Sequence, residues 1–180
     1  MGLKSITDKN AIYFITATVV NWIDIFSRPI YKYIIIDSLK HCQKEKGLEI
    51  YAWVIMTNHI HLIVSAKPNF NLSNILRDFK KFTSKAIIES IQLENESRRD
   101  WMLNHFEFAA KLNTKNKYYK LWQDGNEPKI IYSNEFMMQK IDYIHNNPVK
   151  AEFVNYPEHY KFSSAIDYAD GKGLLDVILV

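Results

Sequence analysis

The stretch that most constrains this chain is the pair of apolar runs Leu48–Met56 and His59–Ser65, joined by Thr57-Asn58. Short runs rich in valine and isoleucine around a two-residue polar break read as a β-hairpin. With Met56 opposite His59, alternation puts Ile50, Ala52, Val54 and Met56 on one face with His59 and His61, and Tyr51, Trp53, Ile55, Ile60, Leu62 and Val64 on the other. Both faces are then largely apolar, so these must be central strands covered on both sides. The two imidazoles lie in a covered layer, spaced so that they can share a divalent cation. Histidines two apart also arise in strands where they only satisfy hydrogen bonds, so the pair alone does not define a metal site.

Around the hairpin the other elements follow. Ala11–Val20 reads as a first strand. A helix follows, capped by Ser27, with Pro29 in its first turn, an apolar stripe from Ile30 to Cys42, and Gly47 as its stop. Asn71 can cap a second helix whose core positions read as Leu72, Ile75, Leu76, Phe79, Phe82 and Ala86, with Arg77, Lys81 and Lys85 on the opposite side and Lys80 nearby. Within 93–116, Arg98–Leu112 reads as a short helix whose Trp101, Phe106 and Phe108 need burial. Tyr118–Trp122 reads as a strand, 124–128 as a loop, and Lys129–Tyr132 as one more short strand. Ser133 or Asn134 can cap a last helix, Glu135–Asn147, ended by Pro148.

The order β-α-β-β-α-β is the split βαβ of an α+β, ferredoxin-like fold. It implies an antiparallel sheet with helices on one face, and the C-terminal helix is available to cover the other. A length of 180 residues suits one domain spanning 1–180. The single cysteine, Cys42, excludes an internal disulfide or a cysteine metal cluster, and a reducing setting fits. No apolar run reaches the length of a membrane span and no signal-peptide pattern opens the chain, so the expectation is a soluble cytoplasmic protein with no membrane partner. Lys plus Arg exceed Asp plus Glu by only 23 to 20, which permits a nucleic-acid partner without arguing for one.

On the last helix Met137, Ile141 and Ile144 form the apolar stripe, and Gln139, Tyr143 and Asn147 a second one beside it. Laid on the histidine face, that helix could bring the Tyr143 hydroxyl near a metal held by His59 and His61, with the Asn147 oxygen as a third ligand. His145, two residues from Tyr143, should point away.

The histidine strand with its His-hydrophobe-His core, followed about eighty residues later by Asp142-Tyr143-Ile144-His145-Asn146-Asn147-Pro148-Val149-Lys150, resembles the single-tyrosine HUH transposases. Within them it most resembles the REP-associated tyrosine transposase branch. The likeness extends to Arg77–Lys85, Leu121-Trp122-Gln123 and Tyr160–Ala165. It implies metal-dependent cleavage and rejoining of single-stranded, hairpin-bearing DNA, with Tyr143 on the C-terminal helix as catalytic nucleophile forming a 5′-phosphotyrosine bond. His59, His61 and Asn147 would be the metal ligands, for magnesium or manganese, and Arg77, Lys80, Lys81 and Lys85 DNA contacts. Small insertion-sequence relatives commonly carry a glutamine four residues after the tyrosine, where this chain has the shorter Asn147. Relatives include dimers whose tyrosine serves the partner's histidines and monomers that use their own, so monomer and homodimer are both open. The competing reading is a non-catalytic nucleic-acid-binding module on the same sheet, with the histidines structural.

Overall fold

The computed structural model describes Ile6, Asp8, residues 10–112 and residues 118–180. The elements in chain order are β1 (Tyr13–Thr18), α1 (Pro29–Lys46), β2 (Leu48–Ile55), β3 (His59–Ala66), α2 (Leu72–Leu93), α3 (Arg99–Lys111), β4 (Lys129–Ile130) and α4 (Asn134–Lys150). The four strands form one antiparallel sheet in the order β2-β3-β1-β4. This is the ferredoxin-like order, with the hairpin partner β3 and the first strand in the centre.

The hairpin register is the expected one. Ile55 faces Ile60, and the Met56 amide donates to the His59 carbonyl at 2.9 Å. The pairing is broken once, between Ile50 and Ala52, by an extra residue in β2. A bulge shifts the side-chain alternation that precedes it. Ile50 therefore pairs with Val64 and joins the face opposite the histidines, while the Tyr51 hydroxyl lies 3.3 Å from Ser65 Oγ, on the histidine side. The expected places of Ile50 and Tyr51 are exchanged; those of Ala52, Val54 and the two histidines stand.

Three further expectations are corrected. Tyr118–Trp122 is not a strand: it touches the sheet through a single bridge, Val19 to Trp122, and the fourth strand is Lys129–Ile130, paired with β1. Trp122 instead turns inward, where its indole N–H donates to Thr83 Oγ1 at 3.0 Å. Second, the α2 core stripe runs Leu72, Ile75, Leu76, Phe79, Thr83, Ile87, so Phe82 is left 59% exposed. Third, α4 continues through Pro148 to Lys150. A proline there costs only an interior hydrogen bond in the last helical turn. Smaller differences lie at other ends: α1 is preceded by Arg28 rather than capped by Ser27, and Trp101 and Phe108 on α3 stay exposed while Phe106 and Met102 are buried. Residues 113–116 of the long polar segment lie outside the described residues.

Two features hold α4 in place over the histidine face. Met137, Ile141 and Ile144 are buried beneath it. After α4 the chain returns along the outer edge of β2, where the Ile55 amide donates to the Phe162 carbonyl and the Ser164 amide to the Trp53 carbonyl at 2.9 and 3.0 Å. Ser164 Oγ accepts from the Trp53 amide at 2.9 Å and also lies 2.9 Å from His145 Nε2. The segment Tyr160–Ala165 thus clasps the edge of the sheet and the buried side of α4 together. The Tyr160 hydroxyl donates to the Ile55 carbonyl at 2.9 Å, and burial pushes its pKa up to about 12. Among the described residues no helix is long and apolar enough to cross a membrane.

Candidate active site

His59 and His61 leave β3 on the same face, their ring centroids 4.7 Å apart. The face is fixed by the pairing of β3 with β1, which sets Thr16 opposite His61 and Thr18 opposite His59. Phe14, one step along that face, stacks on His61 at 5.4 Å. Tyr143 comes down from α4 against both rings, 5.2 Å from His61 and 5.9 Å from Phe14, each edge to face. It remains 40% exposed, so its ring is packed while one side of the residue is open to solvent. The tyrosine belongs to the same chain as the His61 it touches.

Both imidazoles are oriented from behind. His59 Nδ1 lies 2.6 Å from Asn58 Oδ1, an atom that only accepts, so Nδ1 carries the proton. His61 Nδ1 lies 2.9 Å from Thr16 Oγ1. A protonated Nδ1 donating to that hydroxyl leaves the lone pair on Nε2, and His61 Nε2 is buried with no hydrogen-bond partner among the described residues. An unpartnered buried acceptor costs on the order of 1–3 kcal/mol. A metal ion is a group that would satisfy it, and holding the other ring nitrogen in a hydrogen bond is how proteins aim a metal-binding imidazole.

The rings are also kept in the form that metal binding requires. Burial lowers the pKa of His59, and that of His61 falls to about 3, first by burial and then by its neighbours His59, Lys140 and Lys129. Both are neutral at physiological pH. No group of three or more His, Cys, Asp or Glu that could hold a metal exists among the described residues. The donor set fits a divalent ion only as two imidazole nitrogens completed by an amide oxygen, substrate oxygens or water. Asn147 lies one turn after Tyr143, half-buried, and its side chain makes no hydrogen bond with a described residue. His145 points the other way, buried beside Tyr168 and Ser164, its pKa lowered to about 4 mainly by burial.

Four residues around the site were not singled out from sequence. Lys140 sits one turn before Tyr143, its ammonium 5.5 Å from the Tyr143 ring centroid, 5.2 Å from Phe14 and 5.1 Å from Phe136. Lys129 on β4 is close enough to depress the pKa of Lys140 and His61. The two lysines give the mouth of the site a positive field, which suits a phosphodiester. Helical spacing from Tyr143 could have pointed to Lys140; Lys129 and Thr16 needed the strand order. Asn58 was read as a turn residue, and its contact with the His59 ring carries no sequence signal.

The basic residues of α2 part company. Lys80 is turned inward, its ammonium donating to the Gln123 and Gly125 carbonyls at 3.0 and 2.7 Å, and burial lowers its pKa to about 8. Arg77, Lys81 and Lys85 line an open groove of about 830 Å³ between α2 and residues 118–126. Arg77 is held by Asp78 and Asn74, and Lys85 lies 3.7 Å from Glu89.

A family described as "Transposase IS200 like" matches residues 9–111. Among solved structures, a REP-associated tyrosine transposase bound to a REP hairpin superposes with a TM-score of 0.68 at 20% identity, over 99% of this chain and 93% of that one. That likeness is one of fold. A candidate transposase from Deinococcus radiodurans R1 gives a TM-score of 0.47 at 16% identity, over 81% of this chain and 97% of that one, too slight a likeness to carry an argument. No curated protein matches the sequence significantly.

Proposed function

The chain belongs to the IS200-like transposase family, and on that premise we propose that, as a single endonuclease domain, it cuts and rejoins single-stranded DNA through a covalent bond between Tyr143 and a 5′-phosphate. The observation that carries the proposal is the contact of a half-exposed tyrosine with His61, 5.2 Å away, the one of the paired neutral imidazoles whose Nε2 has no partner among the described residues. A purely structural tyrosine at a helix-sheet boundary needs neither the bare nitrogen nor the lysines beside it.

Tyr143 Oη attacks the scissile phosphorus and the bond to the 3′-oxygen breaks. The tyrosine proton passes to solvent, and the leaving 3′-oxygen takes one up. Because the phosphotyrosine keeps the ester energy, the 3′-hydroxyl of another strand can reverse the step and restore the tyrosine without a nucleotide triphosphate. His59 and His61, through Nε2, with Asn147 as a third donor, would hold a magnesium or manganese ion, which supplies charge stabilisation to the phosphate oxygens and polarises the ester. Asn58 holds the His59 ring in the required tautomer, and Thr16 would do the same for His61 by accepting from its Nδ1. Phe14 limits Tyr143 to one approach, and Lys140 and Lys129 place positive charge where the phosphate enters. Since Tyr143 meets His61 of its own chain, the nucleophile would act within one molecule.

The substrate proposed is single-stranded DNA beside a hairpin; the solved structure of like fold is bound to a REP hairpin. Arg77, Lys81 and Lys85 would follow its backbone along the α2 groove, and Lys80 acts from behind by holding the groove wall. The test is a denaturing gel of labelled hairpin-bearing strands incubated with magnesium or manganese. A slow, protease-sensitive band that is absent from Tyr143→Phe is expected. Strand binding by both proteins with no such band in either metal would sink the proposal.

A further inference from the structure

Beside the histidine pair the chain carries backbone strain at an exposed residue. After β1 it makes a single tight turn, Val20–Trp22, in which Asn21 and Trp22 both have positive φ, 54° and 55°. Asparagine visits that region readily, but for a bulky side chain it is an outlier, and such strain persists where the surroundings impose it. The surroundings here do so. Val20 and Ile23 are buried on either side of the tryptophan, the Val19 amide donates to the Asn58 carbonyl at 2.9 Å, and the Val20 amide donates to the Leu121 carbonyl at 2.8 Å. Yet Trp22 itself is 61% exposed. The fold thus strains its backbone to hold a large apolar ring out of the core.

What the ring meets is the site. Its centroid is 6.3 Å from that of His59, edge to face. A single side chain also links the two: the Asn58 side-chain amide donates to the Trp22 carbonyl at 3.2 Å, and the oxygen of the same amide accepts from His59 Nδ1 at 2.6 Å. One asparagine therefore holds the metal-facing imidazole and the exposed indole in fixed relation. The other exposed tryptophan, Trp101, is less open, with His105 4.6 Å from its ring and Arg98 at 5.8 Å.

We propose that Trp22 is a base-stacking platform for an unpaired nucleobase next to the scissile phosphate, so that His59 and Trp22 grip adjoining parts of one strand. The inference rests on the proposed reading of the site as one that takes single-stranded DNA. A strand whose phosphate lies at the histidines must place a base on one side of it or the other, and an exposed indole at the rim is the surface on which any base can lie. Such a platform gives affinity and fixes the angle at which the phosphodiester reaches Tyr143, without reading sequence.

The test compares the binding of fluorescein-labelled oligodeoxyadenylate with that of the same strand built from abasic sugars, by anisotropy in magnesium. The wild-type chain should prefer the adenine strand by about tenfold, the worth of one stacked base. Trp22→Ala and Trp22→Gly should bring the two affinities together, while Trp22→Phe keeps most of the preference. Trp22→Gly should also melt at a higher temperature, because glycine accepts the positive φ without strain. A variant that is more stable but has lost the base preference separates a binding role from a folding one. Equal preference in Trp22→Ala and the wild type overturns the platform, as does a wild-type protein indifferent to the bases. Neither result bears on strand cleavage, which the Tyr143 gel reads separately.

Discussion

At the scale of single residues, the site is defined less by which side chains are present than by which atoms are already occupied. His59 and His61 each have Nδ1 engaged, by Asn58 and Thr16, and the His61 Nε2 has no partner among the described residues. Thr16→Val should therefore weaken metal affinity about 10- to 100-fold with the fold intact. Isothermal titration with manganese, alongside a melting curve, would show it, and an unchanged affinity would remove Thr16 from the site. The position of His145 leads to a pH effect of a different kind. Its folded pKa of about 4 lies below the ordinary value of 6.5, so below pH 6.5 the unfolded chain binds a proton that the folded chain refuses. Stability is then whole above pH 6.5 and is lost as pH falls toward 4, at up to about 1.4 kcal/mol per pH unit for this one group. His145→Gln can keep a hydrogen bond to Ser164 and should blunt the loss. Unfolding free energies from urea titrations at neutral pH and near pH 5 should differ less for the variant, by about 2 kcal/mol or somewhat under.

At the scale of elements, two of the sequence assignments failed for the same reason. Phe82 was assigned to the core of α2 because it extends the stripe of Leu72, Ile75 and Phe79, but Thr83 occupies that place. A buried threonine is unexpected until Trp122 is seen donating to its hydroxyl, while that hydroxyl donates to the Phe79 carbonyl at 2.8 Å. The aromatic run 118–122 was read as a strand for its composition, whereas its tryptophan serves as a side-chain plug rather than a ladder residue. Thr83→Val should cost about 1–3 kcal/mol by leaving the indole N–H unpaired, and Phe82→Ser should change stability by no more than about 0.5 kcal/mol. Denaturant melts of the two variants would decide it, and the reverse order would restore the original stripe. The bulge in β2 belongs here too: alternation alone exchanged Ile50 and Tyr51, because one extra residue inverts the faces before it.

At the scale of the whole molecule, the arrangement makes a claim about partners. Tyr143 touches His61 of its own chain, held there by α4 and by the clasp of Tyr160–Ala165 on the edge of β2. A mixture of Tyr143→Phe with His61→Ala should therefore form no covalent DNA adduct, whereas a site shared between two chains would regain up to a fraction of wild-type yield. Gel assay of the mixture against each variant alone distinguishes them. The sequence by itself determined the hairpin register, the shared face of the two histidines, the tyrosine stripe on the last helix and the ferredoxin-like order, because each follows from local periodicity or from a motif at fixed spacing. It pointed to Lys129–Tyr132 as one further short strand but to Tyr118–Trp122 as the fourth, and it did not reveal the inward turn of Lys80 or the roles of Thr16, Asn58, Lys129 and Trp22. Each of those depends on a hydrogen bond, a charge or a ring contact between segments tens of residues apart, or on a backbone angle imposed by its surroundings. Such contacts exist only once the sheet order and the layer above it are formed.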